Sequence, residues 1–144
     1  MSAVIRKANV QDMERLKSFA DSSKVSMEGT YGEPEGYYMM ENEEGRLMAM
    51  AGLESVDGLG LLRSLVIDSE MCDLSLFVRF FDAVVVSAEQ TGCTGAAFMT
   101  PSPELFETLG FEKWEETSEH APETISKLAR SAKGREAALM VKKF

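Results

Sequence analysis

Residues 60–81 read GLLRSLVIDSEMCDLSLFVRFF. Gly60–Ile67 is an apolar, strand-like run, and the apolar positions from Leu74 onward fall at helical spacing. A short loop joins the two. A strand that leads through such a loop into a helix N-terminus offers main-chain N–H groups to a phosphate. Glycine, basic residues and open N–H groups ordinarily furnish that place. Here the loop is Asp68-Ser69-Glu70-Met71-Cys72-Asp73, with three acids, no glycine and no base. The frame for a phosphate is present without its customary side chains.

Working outward, the helix is predicted over 73–90. Ser75, Arg79, Asp82 and Glu89 share one narrow polar stripe, while Leu74, Phe77, Val78, Phe81, Val84, Val85 and Ala88 cover most of the rest. Val84-Val85-Val86 is an unusual run for a helix, but the segment is too long for one strand. Gly92 is placed to end it. Ala96–Thr100 then reads as a short apolar strand, so strand, helix and strand form a parallel, right-handed crossover.

Upstream, three strand-like runs are predicted over 37–42, 46–55 and 60–67. Glu43-Glu44-Gly45 and Asp57-Gly58 separate them, which favours an antiparallel meander. Val4, Ile5 and Arg6 suggest a first strand. Asn9 and Asp12 stand like a helix cap and its reciprocal partner. Val10, Met13, Leu16, Phe19 and Ala20 carry a helix to about Ser22. Residues 22–36 read as a loop, or as a short helix with a loop. Downstream, Ser102-Pro103-Glu104 is a helix start with serine as cap and proline in the first turn. Gly110 is a left-handed cap, Phe111–Glu115 an extended run, 122–130 a helix and 136–144 a final strand.

The chain has 144 residues, 44% of them hydrophobic and 27% charged, which suits one globular domain. No apolar run reaches membrane-spanning length, and MSAVIRKANV lacks the apolar stretch of a leader, so a cytoplasmic protein away from membranes is expected. Net charge is −9, which argues against nucleic acid. From Ser64 to Glu112 the only basic side chain is Arg79, so this half is either a solvated acidic surface that aids solubility or a poor host for a polyanion. Cys72 and Cys93 are too few for a disulfide framework, and no Cys/His spacing suits a metal. His120 reads as a loop residue. The ten methionines fill a core or line an adaptable pocket.

The element order resembles that of the GNAT acetyltransferases, an α/β (α+β) fold with a mixed sheet. There an antiparallel meander precedes a parallel βαβ crossover, and helices cover both faces. Met48-Ala49-Met50-Ala51-Gly52-Leu53-Glu54 resembles the family's xxGxxGLE strand, and Leu61–Asp68 its LLRSLVVDP strand. Leu105-Phe106-Glu107-Thr108-Leu109-Gly110-Phe111 resembles FFEKLGF, and Ala138–Lys143 the last strand. The nearest flavour is the short subgroup with arsenic-resistance and N-acetylglutamate-synthase-like members. Laid on this chain, the family's Arg/Gln-x-x-Gly-x-Gly/Ala loop puts its first position on Cys72, or one residue either side of it, and its glycines on Ser75 and Phe77, a degenerate motif.

The resemblance implies acetyl-CoA as cofactor and a small amine or amino acid as partner, and it is compatible with a homodimer. The cofactor would be met along Leu65, Val66 and Ile67, through Cys72, Asp73, Leu74, Ser75, Leu76 and Phe77, and at Ser102. Main-chain N–H groups of Leu65 and Val66 would stabilise charge on the thioester oxygen. Glu54 is a general base reached through water, or an exposed strand-end acid. Arg63, flanked by apolar residues, is expected to be buried and to need an anion, either a substrate carboxylate or Glu54 across the hairpin. Many family members protonate the leaving thiolate with a tyrosine where this chain has Phe106, which leaves Tyr31, Tyr37 and Tyr38 as distant alternatives. Two functions compete: an active N-acetyltransferase with a divergent loop, and a catalytically silent binding or regulatory module.

Overall fold

The computed structural model describes residues 3–23, 36–114 and 137–144. The helix expected over 122–130, His120 and Tyr31 lie outside them. Among the described residues, seven strands form a mixed sheet in the order β1-β2-β3-β4-β5-β7-β6. They are β1 (Val4–Lys7), β2 (Tyr37–Glu41), β3 (Leu47–Val56), β4 (Leu59–Ile67), β5 (Gly95–Thr100), β6 (Glu112–Lys113) and β7 (Ala138–Lys143). The helices are α1 (Met13–Ser22), α2 (Leu74–Gln90) and α3 (Pro103–Glu107), with a 3-10 turn at Val10–Asp12. The chain divides into two compact units, Met1–Glu54 with Leu62–Ser87, and Ser55–Leu61 with Ala88–Phe144.

In the first unit β1 runs antiparallel to β2 (Val4 opposite Glu41), and β2 antiparallel to β3 (Tyr37 opposite Gly52). The capping box forms as the sequence predicts: the Asn9 side chain accepts from the Gln11 N–H, and Asp12 accepts from the Asn9 N–H at 2.9 Å. Leu16 and Ala20 of α1 pack on Tyr37, Met39, Met50 and Val66. Val10, by contrast, is 76% exposed and does not belong to the apolar face. It sits in the 3-10 turn, whose tighter winding leaves the period of α1. Met39, Met40, Met48 and Met50 are buried, so these methionines fill core.

Asp12 is also the centre of an ion network. Arg6 grips it through two bonds, Nη1–Oδ2 at 2.9 Å and Nη2–Oδ1 at 3.0 Å, and reaches Glu41 through Nε at 2.8 Å. Arg15 meets Glu41 at 3.2 Å. The Arg6 hydrogen bonds hold the Asp12 carboxyl down at about 2, against an ordinary 3.8.

α2 buries Phe77, Phe80, Phe81, Val84, Val85 and Ala88. The predicted polar stripe faces solvent, and Leu74 and Val86 are exposed with it. The helix ends where Gly92 takes φ +95°, with Gly92 N–H donating to Glu89 O and Cys93 N–H to Ala88 O. This is a Schellman cap, which needs the left-handed conformation glycine adopts freely.

In the second unit, Asp57 (φ 53°) and Gly58 (φ 78°) make the tight turn between β3 and β4. Two positive φ values in a two-residue loop match a type I′ hairpin. β4 pairs with β5 in parallel from Leu59 to Leu61, where the ladder ends. β5 pairs antiparallel with β7 along its full length. Leu59, Leu61, Ala97 and Leu139 form the core here. Phe98 packs edge-on against Phe106 and Phe111, at 4.5 and 5.2 Å between ring centres. The extended run after Gly110 is short, only Glu112–Lys113 within the described residues.

Candidate active site

β4 departs from regular extended backbone in its middle. Ser64 has φ +52°, a left-handed value inside a strand. For a residue with a side chain this costs about 1–2 kcal/mol and persists only where the surroundings hold it. They do hold it. The Tyr37 hydroxyl on β2 is hydrogen bonded to the Ser64 side chain. Tyr37 is 1% exposed, and burial pushes its phenol pKa up. Across the ladder from it stands Gly52, which puts no side chain beside the ring.

Glu54 at the end of β3 faces Arg63, with Oε2 and Nη1 3.4 Å apart. Arg63 is not buried as the apolar flanks suggest. Its side chain is 36% exposed, because the turn at Ser64 breaks the strand's alternation. Of the two anionic partners the sequence leaves open for Arg63, Glu54 is the one in contact. The Glu54 Oε2 atom is itself buried and makes no hydrogen bond. Tyr37, Glu54, Arg63 and Ser64 thus gather on neighbouring strands of the first unit. Beyond them, Val66 is buried in the core, Leu65 is half-buried and Ile67 is exposed.

The loop after β4 closes on its own acids. The Asp68 carbonyl accepts from the Met71 and Cys72 N–H groups, and its carboxylate from the Glu70 N–H at 3.0 Å. The Asp73 carboxylate accepts from the Leu76 N–H at 2.8 Å and its carbonyl from the Phe77 N–H. Asp73 is therefore the N-cap of α2. Phe77 stands on a family glycine position. Its ring is 5% exposed and packs against Phe81 at 5.9 Å. Cys72 is buried, and burial, then the charges of Asp73 and Asp68, push its thiol up, which disfavours the thiolate. Leu74 and Ser75 are exposed at the first turn of α2.

In the second unit, Ser102 occupies the N-cap position of α3 with Pro103 after it, yet its side chain makes no cap bond. Its N–H donates instead to Thr100 Oγ1 at 3.1 Å, an arrangement that turns the chain without the serine hydroxyl. Among the described residues no cluster of His, Cys, Asp and Glu is arranged to hold a metal. No helix there is long and apolar enough to cross a membrane.

No protein-family model matches the chain, and no curated protein matches it. Solved structures do. Rv2747 from Mycobacterium tuberculosis, in complex with CoA, matches over 98% of this chain and 99% of its own, with TM-score 0.76 and 17% identity. The fold is that of the GNAT acetyltransferases. N-acetylglutamate synthase from Neisseria gonorrhoeae, complexed with coenzyme A and N-acetyl-glutamate, gives TM-score 0.80 at 20% identity. The match covers 99% of this chain but 35% of that one, so the chain spans about a third of the synthase's length. PaiA N-acetyltransferase from Thermoplasma acidophilum, in complex with coenzyme A, matches over the whole of both chains with TM-score 0.67 and 13% identity. At these identities the likeness concerns the GNAT fold itself.

Glu54 and Arg63, both singled out from the sequence, stand in contact on β3 and β4. Sequence reading gave Tyr37 only a distant role and missed its link to Ser64. Ser64 is serine, not glycine or asparagine, so nothing local signals a left-handed residue.

Proposed function

We propose that the chain is an acetyl-CoA-dependent N-acetyltransferase, one GNAT domain acting on a small amine or amino acid. The observation that carries this reading is β4, interrupted by the left-handed Ser64 and followed by Leu65 and Val66. It is supported by the coenzyme A bound in structural neighbours that span the same fold. The residues fit the two ends of the cofactor unequally. Main chain at Leu65 and Val66 suits a thioester, whereas the loop amides of Glu70, Met71, Cys72 and Leu76 already have partners. The exposed first turn of α2 at Leu74 and Ser75 is what remains for a diphosphate.

Acetyl-CoA, when bound, supplies an activated acetyl group. The chain's own residues then have three tasks. N–H groups of Leu65 and Val66 stabilise negative charge on the carbonyl oxygen. Glu54, through a water, takes the proton that the attacking amine releases. Arg63, only half-buried and already beside an acid, can turn to the carboxylate of an amino-acid acceptor. The N-acetyl-glutamate bound by the Neisseria synthase supports an acceptor of this kind.

The competing reading is a silent module of the same fold, which the coenzyme A bound in the structural neighbours does not favour. Melting in the presence of acetyl-CoA separates the two. At 100 times the dissociation constant, binding adds about 2.7 kcal/mol. That raises the melting temperature of a chain this size by roughly 5–10 °C. No shift at millimolar acetyl-CoA removes the transferase.

A further inference from the structure

The Tyr37–Ser64 contact joins two residues that the activity, as described so far, does not use. Ser64 is the one left-handed, non-glycine residue within the described strands, and it directly precedes Leu65 and Val66, which the proposed transferase would present to the thioester. A serine at φ +52° relaxes toward extended backbone unless something holds it. In relaxing it would rotate the following peptide and redirect the Leu65 N–H. The Tyr37 hydroxyl is the group in place to prevent this. Its ring is locked in the core with Leu16, Met39, Met50 and Val66, opposite Gly52. A rigid ring with a fixed hydroxyl makes a better anchor than any mobile surface group. Tyr37 is too enclosed, at 1% exposure, to serve a leaving group directly.

We propose that Tyr37 is a positioning residue: its hydroxyl, bonded to Ser64, clamps the left-handed turn of β4 and so aims the Leu65 and Val66 N–H groups. The inference rests on the transferase reading for its catalytic consequence, but not for the clamp.

The test uses Tyr37→Phe, which keeps the ring and removes only the hydroxyl, in the full chain. Amide hydrogen exchange of the free protein reads the clamp. Exchange at Leu65 and Val66 rises tenfold or more, while Leu16 in α1 is unchanged. Release of CoA thiol from acetyl-CoA, with L-glutamate as acceptor, reads the consequence. Turnover falls at least tenfold and KM for acetyl-CoA stays within twofold, a split that general loosening would not give. Ser64→Gly supplies the second variant, since glycine adopts the same φ without strain. In that background Tyr37→Phe changes turnover less than twofold, because the hydroxyl's partner is gone. Unchanged exchange at Leu65 and Val66 overturns the clamp whatever the protein's activity. Faster exchange in a protein that acetyl-CoA does not stabilise upholds the clamp and overturns the transferase reading instead. Turnover and KM that worsen together, with the two substitutions additive, overturn the positioning role.

Discussion

Two sets of aspartates in the first unit do the same local job and differ in what surrounds them. Asp12 accepts a main-chain N–H at the start of α1, and Arg6 and Arg15 surround its charge. Asp68 and Asp73 accept N–H groups around the loop before α2, and among the described residues no ion pair reaches either. The first set is therefore compensated and serves stability. The second has no direct ion pair, Arg15 and Arg46 only lining the same cavity as Asp68, and it lies where GNAT proteins are expected to place a diphosphate. A carboxylate at a helix start thus has two meanings, and the cations around it decide which applies.

Several experiments would break or sharpen this contrast. The largest effect belongs to a residue in neither set. Phe77→Ala empties a core position at the head of α2 and costs about 3–5 kcal/mol in denaturant unfolding. Acetyl-CoA affinity should not improve. A gain would mean the ring obstructs the loop, and sterics rather than charge would explain a weak diphosphate site.

Acid titration comes next. The folded-state pKa of Asp12 lies below its unfolded value, so its contribution is complete above about pH 4 and disappears as pH falls through about 2. We expect a loss of about 1–2 kcal/mol across that window, after discounting for the partly exposed arginines. In Asp12→Asn the step should vanish. If the step persists unchanged, the arginine clamp is not what stabilises this acid.

Asp73→Ala should cost about 1 kcal/mol as a lost N-cap. It should also tighten acetyl-CoA, because the Leu76 N–H is freed and a charge removed. Weaker binding in this variant would show that the diphosphate does not approach α2. Asp68→Asn is the mildest. The carbonyl and side-chain oxygens still accept, so stability should move by only a few tenths of a kcal/mol. Affinity should rise about fivefold, or ~1 kcal/mol, from the missing charge. Equal affinity with and without Asp68 would separate the loop's acidity from cofactor binding.

Much of this fold is legible one segment at a time. The Asn9–Asp12 box, the Asp57-Gly58 turn, the proline start of α3 and the glycine end of α2 each depend on contacts a few residues apart. Local rules therefore predict them. The periodicity of residues 74–90 suffices for α2 despite three consecutive valines. Val10 and Arg63 show where such reasoning stops. One sits in a tighter helical turn than the pattern assumes, and the other lies next to a backbone reversal that no residue type announces.

The sequence by itself determined the order of elements, their ends and the acidity of the loop, because each follows from composition and spacing over a few residues. Only the tertiary structure decided which acids are neutralised, where Phe77 points and why Ser64 can be left-handed. Those outcomes rest on partners distant in the chain, such as Arg6 with Glu41, 35 residues away. Such pairings form only when packing brings the strands together, and the buried ring of Tyr37 then holds a conformation Ser64 would not keep alone.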